Sequence, residues 1–342
     1  MTTDESERRY PLRMPPDWEP PVPAFTSEFA DRRTQVSMVV LGCQFDAADR
    51  DPALTAVQDF LRQMKEHGRA SHADLAACER DRAGRQQLVA TGYWFDGEAA
   101  DAFLNDSEFA GLWSSYRDRP PRYGVFREVF NVPLTRHETL HSGADHVVGI
   151  ASVRDGVTDP VRRHAYWGSM RDRLAESATD RFEPSGGVTA IERTASRVVV
   201  RANRNLAIIR SGQDLGNASG REREEYFGDV EPNLVAGMDF LRDRGREIGC
   251  YDCRFMRFLD ADGAPLDHTY GFAYFRSLQD LEAWAEHHPT HKAIFGAFMA
   301  FAPGYGPDMR MRLWHEVAVV PAGDQHAEYV NCAPETGFLS GL

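Results

Sequence analysis

Two stretches of the chain share the same order of apolar and polar residues, and this internal repeat constrains the fold more than any other feature. Residues 93–113, YWFDGEAADAFLNDSEFAGLW, and residues 123–133, YGVFREVFNVP, are similar to residues 273–295, AYFRSLQDLEAWAEHHPTHKAIF, and 311–321, MRLWHEVAVVP. In both copies a helical pattern leads into a strand-like pattern of alternating apolar residues. The simplest architecture with this order is an α+β fold of duplicated ferredoxin-like halves, whose sheets face each other or close into a barrel.

The periodicity of apolar residues predicts strands and helices along the rest of the chain. Strands are predicted at Val36–Phe45, Gln87–Phe95, Tyr123–Val132, His146–Val153, Val198–Ala202, Leu206–Arg210, Arg254–Leu259, Thr269–Phe275 and Met311–Val320. Helices are predicted at Pro52–Lys65, Glu98–Trp113, Val161–Ser177, Glu224–Arg244 and Leu278–Ala300. We therefore divide the chain into a proline-rich N-terminal arm (residues 1–35), an N-terminal half (36–145) and a C-terminal half (146–342).

Charge and hydropathy exclude several classes of partner. The formal net charge of −13 at pH 7 argues against nucleic acid and anionic membranes, because both are bound by clustered Lys and Arg. No apolar run approaches the roughly 18 residues that span a bilayer, and the chain begins without the apolar stretch of a signal peptide. The five scattered cysteines are typical of reduced thiols. We expect a cytoplasmic protein.

His291 is the candidate metal ligand. The dipeptide His288–Pro289 disfavours helical backbone, so the last predicted helix should break there and restart with His291 in its first turn. Ile294, Phe295 and Phe298 follow at i+3, i+4 and i+7 and place the imidazole beside three large apolar side chains. A flat apolar macrocycle with a metal at its centre needs this combination. The alternative is a core or capping histidine.

His315 lies on the last predicted strand. Alternation in MRLWHEVAVV places it on one face with Met311, Leu313 and Val317. An imidazole among these apolar neighbours could serve as a general acid or base. The alternative is a structural histidine whose ring bonds a backbone carbonyl.

The two copies of the repeat differ where chemistry would require it. In the helix, His291 aligns with about Phe109, and in the strand His315 aligns with Arg127. Only the C-terminal copy therefore carries imidazoles at these positions. An iron site, if the chain has one, belongs to the C-terminal half, with one site per chain.

Two further polar residues are candidates for contact with a substrate. Ser211 follows the strand RNLAIIR, and a hydroxyl at a strand end can face a cavity, although Ser-Gly after a strand is equally typical of a turn. Arg171 lies in AYWGSMRDRL on a predicted helix, where a solvent-facing arginine is the alternative. Neither residue is in a known catalytic motif, and Ser211 lacks the G-x-S-x-G frame of a nucleophile elbow.

Four segments, SGQD, HPTHKAIFG, RLWHEV and AYWGSMRDR, together resemble the aldoxime dehydratases, a family that includes aliphatic and phenylacetaldoxime dehydratases. The resemblance extends over most of the chain, from the proline-rich arm to the WHEV strand. It implies haem b, a dimeric α+β barrel-like haem protein, and conversion of aldoximes (R-CH=N-OH) to nitriles. By the same resemblance, His291 is the proximal ligand of ferrous iron and His315 is the distal acid/base.

The resemblance also implies which residues support the reaction. Ser211 and Arg171 would hydrogen-bond the hydroxyl of the substrate, and Glu138 in TRHETLH would be a supporting carboxylate. The motifs around the last two are less distinctive, so Arg173 and Glu128 stay open as the true counterparts.

Two other functions remain as alternatives. The first is a related haem enzyme, chlorite-dismutase-like or peroxidase-like, but such enzymes use a distal arginine or aspartate where this chain has a histidine. The second is a non-catalytic haem carrier, which would need His291 but not His315. Formation of nitrile distinguishes an aldoxime dehydratase from both.

Overall fold

The computed structural model describes residues 8–342, so the first seven residues of the predicted arm lie outside the described part of the chain. The elements up to residue 141 are β1 (Ser27–Glu28), β2 (Gln35–Phe45), α1 (Arg50–Arg62), β3 (His72–Cys78), β4 (Gln86–Trp94), α2 (Gly97–Asn105), α3 (Ser107–Asp118), β5 (Gly124–Pro133) and β6 (His137–His141).

The elements after residue 141 are β7 (Gly156–Val157), α4 (Ser169–Arg173), β8 (Thr189–Arg193), β9 (Arg197–Arg201), β10 (Leu206–Asp214), α5 (Gly220–Glu225), α6 (Glu231–Arg244), β11 (Cys250–Leu259), β12 (Pro265–Phe275), α7 (Leu278–His287), α8 (Pro289–Phe301), β13 (Arg312–Val320) and β14 (Gln325–Val330). Within residues 8–342, no helix has both the length and the apolar character needed to cross a bilayer.

Twelve of these strands form one sheet, in the order β6-β13-β10-β12-β11-β3-β4-β2-β5-β14-β9-β8. Every neighbouring pair is antiparallel. The strands β2 to β5 and the strands β10 to β13 each alternate with helices as strand-helix-strand-strand-helix-strand. In both sets the spatial order of the four strands is 4-1-3-2. The sets join through the β11–β3 pair.

Each half is extended by a strand from the other part of the chain. The strand β6 pairs with β13, and β14 pairs with β5. Each exchanged strand thus lies beside the fourth strand of the half that it joins.

The described residues form four hydrophobic cores, one of them a small core around Phe301 and Met311, and the other three pack against the two faces of this sheet. One face carries residues of both halves in a shared core that includes Val40, Phe126, Ile208 and Phe272. On the other face, α1 to α3 cover the N-terminal strands. The helices α6 and α7 cover the C-terminal strands together with partly buried Ile294 of α8. The candidate residues lie on this helix-covered face of the C-terminal half.

Most predicted elements are confirmed to within a few residues, but two are wrong. Residues 146–153 form no strand, because Glu316 from β13 accepts the backbone N–H of Ile150 at 3.0 Å and Gly149 takes a positive φ of 57°. Residues 161–177 form only the short helix α4, because Ala165 and Gly168 have φ values of 60° and 93°, which end a right-handed helix. Both causes act through contacts or backbone angles that apolar periodicity does not report.

Candidate active site

The helix α8 begins as the sequence predicts. His288 has an extended backbone, and its side chain accepts a hydrogen bond from the backbone N–H of Thr290 at 3.3 Å, which caps the new helix after Pro289. His291 is therefore the third residue of α8, in its first turn. The break directs α8 away from α7 while keeping His291 close to Trp284 of the preceding helix.

The imidazole of His291 lies among aromatic rings. Its centroid is 4.7 Å from the ring of Trp284 and 5.9 Å from that of Trp167, both edge to face. Burial lowers the pKa of His291 to about 4, with the carbonyl of Ala285 acting in the opposite direction, so the ring is neutral at pH 7. Its Nδ1 is buried and makes no hydrogen bond among the described residues, so Nε2 is the ring nitrogen left to reach a metal. A neutral imidazole is the form in which histidine binds metals.

The apolar residues of α8 are largely left uncovered. Only Phe301 is fully buried in this helix, whereas Ile294 and Phe298 are half-buried. Phe295 and Met299 are 42% and 44% exposed. An uncovered apolar patch on a helix marks a surface that binds something else. Together with the neutral imidazole of His291, this surface fits a flat apolar group held through one histidine, as haem is.

The neighbouring strands β10 and β13 place Ser211 and His315 side by side. Ser211 of β10 is directly opposite His315 of β13 on one side and Gly271 of β12 on the other. The sequence predicted that the strand would end before Ser211, but β10 continues to Asp214. Ser211 is exposed in the middle of this strand, and a polar, exposed residue at a central position of a sheet is unusual for a structural one.

The same sheet face connects these residues to α8. Ile209 and Val317 face each other two pairs along from Ser211 and His315, and side chains two residues apart on a strand share a face. Both belong to or pack against the core that also contains Ile294 of α8. The helix with His291 and the strands with Ser211 and His315 therefore enclose the same region.

His315 contacts a carboxylate and a guanidinium. Its Nε2 lies 3.1 Å from Oε1 of Glu138 and 2.8 Å from Nη2 of Arg173. Arg173 also donates from Nε and Nη2 to Glu138 at 2.7 and 3.1 Å, and all three side chains are at least three-quarters buried. Burial raises the pKa of Glu138, but Arg173 and His315 more than compensate and lower it to about 2. Because both contacts are to Nε2, Nδ1 is the ring nitrogen of His315 left for another partner.

Arg171 is not part of this group. It donates to both oxygens of Glu282 on α7, at 2.6 to 3.1 Å, and to the carbonyl of Arg181. The one-turn helix α4 directs side chains two residues apart to different sides, so Arg173 is the arginine that reaches His315. Of the two arginines that the sequence left open, Arg173 is thus the one in contact with His315.

The two candidate glutamates lie on opposite sides of the sheet. Glu138 lies beside His315, whereas Glu128 is in the shared core of the two halves. There it accepts hydrogen bonds from Arg254 at 2.7 and 2.9 Å and from the hydroxyls of Tyr274 and Tyr329. Glu128 faces the opposite side of the sheet from Ser211 and His315.

Trp167 is a site residue that the sequence did not single out. Its ring packs 5.3 Å from Phe295 and 5.9 Å from His291, and 38% of it is exposed. Its signal in the sequence is its place in AYWGSMRDR, six residues before Arg173. No periodic pattern connects that segment with α8.

Known proteins similar to this chain were found at the level of family, sequence and structure. Residues 39–338 match the family model of haem-containing dehydratases. The chain is 39% identical over 331 residues to the aliphatic aldoxime dehydratase of Rhodococcus erythropolis, with 96% of this chain and 93% of the relative covered. It is 32% identical over 339 residues to the phenylacetaldoxime dehydratase of a Bacillus species, with 95% and 93% covered.

The structural comparison agrees with the sequence comparison. The fold matches the crystal structure of an aldoxime dehydratase in complex with butyraldoxime, with a TM-score of 0.93, 38% identity, and coverage of 98% of this chain and 93% of that chain. A second aldoxime dehydratase structure matches with a TM-score of 0.91 at 36% identity, covering 98% and 95%. The protein belongs to the haem-containing dehydratase family, among the aldoxime dehydratases.

Proposed function

We propose that this protein removes water from aldoximes, R-CH=N-OH, to give nitriles, R-C≡N, and that His291 holds the haem. The observation that carries this proposal is the position of His315. It lies in contact with Glu138 and Arg173 on the sheet face whose core includes Ile294 of α8, so an acid/base group and the candidate haem ligand lie on the same side of the sheet. The similarity to aliphatic and phenylacetaldoxime dehydratases over nearly the full chain supports the substrate class.

The haem would bind against the uncovered apolar surface of α8. His291 would be its ligand, and Ile294, Phe295 and Phe298 would supply apolar contact to the macrocycle. When bound, a ferrous haem supplies an electron-rich metal that can bind the oxime nitrogen and weaken the N–O bond. Trp167 and Trp284 pack against the imidazole edge to face and limit the orientations of its ring.

His315 performs both proton transfers. The hydroxyl of an oxime is a poor leaving group until it is protonated, and His315 donates that proton from Nδ1, the nitrogen that faces neither Glu138 nor Arg173. After water leaves, the neutral imidazole accepts the proton from the former aldehyde carbon. One proton is thus given and one is taken, and the histidine ends in the state in which it began.

The residues around His315 orient it and the substrate. Glu138 and Arg173 hold Nε2 and thereby fix the plane of the ring, and Arg173 takes the place first expected for Arg171. Ser211, the direct neighbour of His315 across the β10–β13 pair, hydrogen-bonds the oxime hydroxyl. Such positioning contributes to rate because the reacting atoms must be aligned when the proton moves.

The test is nitrile formation by the haem-loaded protein. We expect the dithionite-reduced protein to convert butyraldoxime to butyronitrile, measured by gas chromatography, and the absorption spectrum to change when the oxime is added. A haem-free preparation of equal activity would refute the proposal. A haem-containing protein that makes no nitrile would favour the carrier or one of the related haem enzymes.

We further propose that the halves 36–145 and 146–342 are duplicated ferredoxin-like units. The repeated strand and helix order, with four strands in the spatial order 4-1-3-2 in each half, supports this. We also propose a cytoplasmic homodimer, an assembly that rests on the resemblance to the family. Light scattering should then give twice the chain mass of 38.5 kDa.

A further inference from the structure

One irregular segment contacts both sides of the proposed site. Within residues 163–173, Trp167 packs 5.9 Å from His291, and Arg173 donates to Glu138 and lies 2.8 Å from Nε2 of His315. Only the last five residues of this segment are helical. A segment with so little regular structure needs other contacts to hold its side chains at a fixed distance from the reacting atoms.

Asp172 supplies those contacts. It is 1% exposed and lies directly before Arg173. Its carboxylate accepts the backbone N–H of Arg13 at 2.9 and 3.1 Å, the backbone N–H of Met14 at 3.0 Å, and the hydroxyl of Tyr166 at 2.7 Å. Hydrogen bonds to an ionised carboxylate are stronger than neutral ones. The carboxylate therefore fastens the N-terminal arm to the segment that carries Trp167 and Arg173.

The arm makes further contacts with the same segment. The indole of Trp18 donates to the carbonyl of His164 at 3.0 Å and packs edge to face on Tyr166 at 5.7 Å. The side chain of Arg13 fills the space in which a Cβ on Gly168 would stand, at 2.5 Å, and Gly168 has the positive φ that favours glycine. The arm is thus packed closely along the turn before α4.

Asp172 is also flanked by two anchored arginines. Arg171 is fixed to Glu282 of α7, the helix that precedes α8, and Arg173 is fixed to Glu138 of β6. Three consecutive side chains therefore connect α7, the arm and the His315 group. Movement of Asp172 would be transmitted directly to the guanidinium that contacts His315.

We infer that Asp172 is a positioning residue for the reaction: by holding the backbone of Arg13 and Met14, it keeps Arg173 in contact with Glu138 and His315. The inference rests on the proposed function of His315. It gives the N-terminal arm a part in the turnover of the enzyme. The arm would act through its contact with Asp172, and not directly on His315 or Glu138.

The first experiment is a double-mutant cycle with Asp172→Asn and Arg173→Lys, in haem-loaded protein. We expect Asp172→Asn to lower kcat per bound haem by about 10-fold, because small displacements of a positioning group have effects of this order or larger, with little change in KM. In the Arg173→Lys background the same substitution should cost less than about 2-fold, because the residue through which it acts is already altered.

Asp81→Asn is the matched control. Asp81 is a buried carboxylate of the N-terminal half that accepts the backbone N–H of Arg85 at 2.9 Å and the side-chain amide of Gln87 at 2.8 Å. Its loss should lower the thermal unfolding temperature without changing kcat per haem. Equal costs of Asp172→Asn in both backgrounds, or a loss no larger than that in Asp81→Asn, would refute the inference. If Arg173→Lys alone has no effect on kcat, the proposed function of the His315 group fails instead.

A second variant tests the arm without changing a buried charge. Met14→Pro removes the N–H that Asp172 accepts, and position 14 precedes Pro15, so its backbone is already biased to the extended region that proline tolerates. Glu19→Pro is the control, because position 19 also precedes a proline, Pro20, and its N–H makes no hydrogen bond within residues 8–342.

We expect Met14→Pro, and not Glu19→Pro, to reduce kcat per haem and to speed amide hydrogen exchange in peptides covering residues 163–173. Faster exchange with unchanged kcat would show that the arm only stabilises the segment, and would overturn the inference. Unchanged exchange and unchanged kcat would overturn it as well, since the contact would then hold nothing in place.

Discussion

The two halves use the same strand positions for different purposes. Across the four C-terminal strands, in the order β13, β10, β12 and β11, one row of facing residues consists of His315, Ser211, Gly271 and Phe255. Across the four N-terminal strands, in the order β5, β2, β4 and β3, the corresponding row consists of Arg127, Leu41, Ala90 and Leu75. We refer to these as the C-terminal row and the N-terminal row.

The N-terminal row is filled for packing. Leu41 and Ala90 are completely buried, and the helices above them contribute Phe60 and Trp113 to the same core. Arg127 packs on the ring of Trp113 and pairs with Glu328 at 2.8 Å. In the C-terminal row, a hydroxyl and a glycine replace two apolar side chains. Met238 of α6 lies over the glycine, with its sulfur 2.7 Å from the place of a Cβ on Gly271, and Ser211 is exposed. The C-terminal row therefore has an exposed hydroxyl where the N-terminal row has the buried side chain of Leu41.

Each row ends beside a buried carboxylate on an exchanged strand. Glu328 of β14 contacts Arg127 and Arg197, and Glu138 of β6 contacts His315 and Arg173. Both arrangements place one carboxylate between two basic side chains. The difference is that Arg127 cannot release a proton near neutral pH, whereas an imidazole can. The exchange of one basic residue for the other turns a structural ion pair into a group capable of proton transfer.

Haem retention should differ most between the halves. His291→Ala should abolish it, because His291 is the proposed ligand, whereas Phe109→Ala at the corresponding N-terminal position should lower stability by about 3–5 kcal/mol and keep one haem per folded chain. The pyridine haemochrome assay measures both. His287→Ala is the control for a neighbouring exposed histidine. Full haem occupancy in His291→Ala would move the ligand to His287 or His288.

Turnover should separate the two basic residues at the ends of the rows. His315→Ala should retain haem but lose about 10²–10⁴-fold in turnover per bound haem, the range for loss of a general acid. Arg127→Ala leaves Glu328 with one partner fewer and should cost about 3 kcal/mol of stability while turnover per haem stays within about 2-fold. If His315→Ala also stays within a few-fold of the parent, His315 is structural and the comparison of the rows loses its functional meaning.

The sequence identified the parts of this site that depend on local pattern. His291 follows from a proline and a helical period, and His315 from strand alternation, because each signal is contained in about ten consecutive residues around its histidine. Glu138 and Arg173 come from an exchanged strand and an irregular segment, and neither has a periodicity that relates it to His315. The resemblance to a family pointed to Glu138, but it could not separate Arg171 from Arg173, because only the direction of α4 distinguishes them.

The fold shows the same division. Most of the duplicated strands and helices were predicted, since each has an apolar period of its own, but β3 was missed. The strand predicted at 146–153 does not form, because its backbone is held by Glu316 from a strand more than 160 residues away. Among the other missed strands, β6 and β14 are short, and their positions are determined by the halves that they join.

Ser211 and Leu41 test the middle of the rows. Ser211→Ala should keep the haem and lose about 100-fold in turnover per haem, the scale for removing one positioned hydrogen-bond donor, with little change in stability because Ser211 is exposed. Leu41→Ala should do the reverse and cost about 2–5 kcal/mol with turnover per haem unchanged. Urea unfolding and nitrile formation measure the two effects. Unchanged turnover in Ser211→Ala would assign that hydroxyl to structure alone.

The smallest difference between the halves is expected in the pH dependence of stability in acid, to which Glu138 and Glu328 should contribute alike. Burial raises the pKa of both, but neighbouring cations reverse this: Arg173 and His315 lower the pKa of Glu138 to about 2, and Arg127 with Arg197 and Trp113 lowers that of Glu328. A carboxylate with a lowered pKa in the folded state stabilises the protein above its unfolded pKa of about 4.3, and this contribution is lost as the pH falls through the folded value.

Glu138→Gln and Glu328→Gln should therefore each make the free energy of unfolding less dependent on pH below about 4.3, by up to ~3 kcal/mol for Glu138. Urea titrations at intervals from pH 6 to pH 3 would measure the slopes, and both should be shallower than that of the parent. The variants should still differ in turnover at pH 7, because only Glu138 touches His315. A flattened slope for Glu328→Gln with no change for Glu138→Gln would mean that Glu138 is not held ionised by its neighbours. The exchanged strands β6 and β14 would then be alike in how they pair with the halves, but not in the electrostatics of their carboxylates.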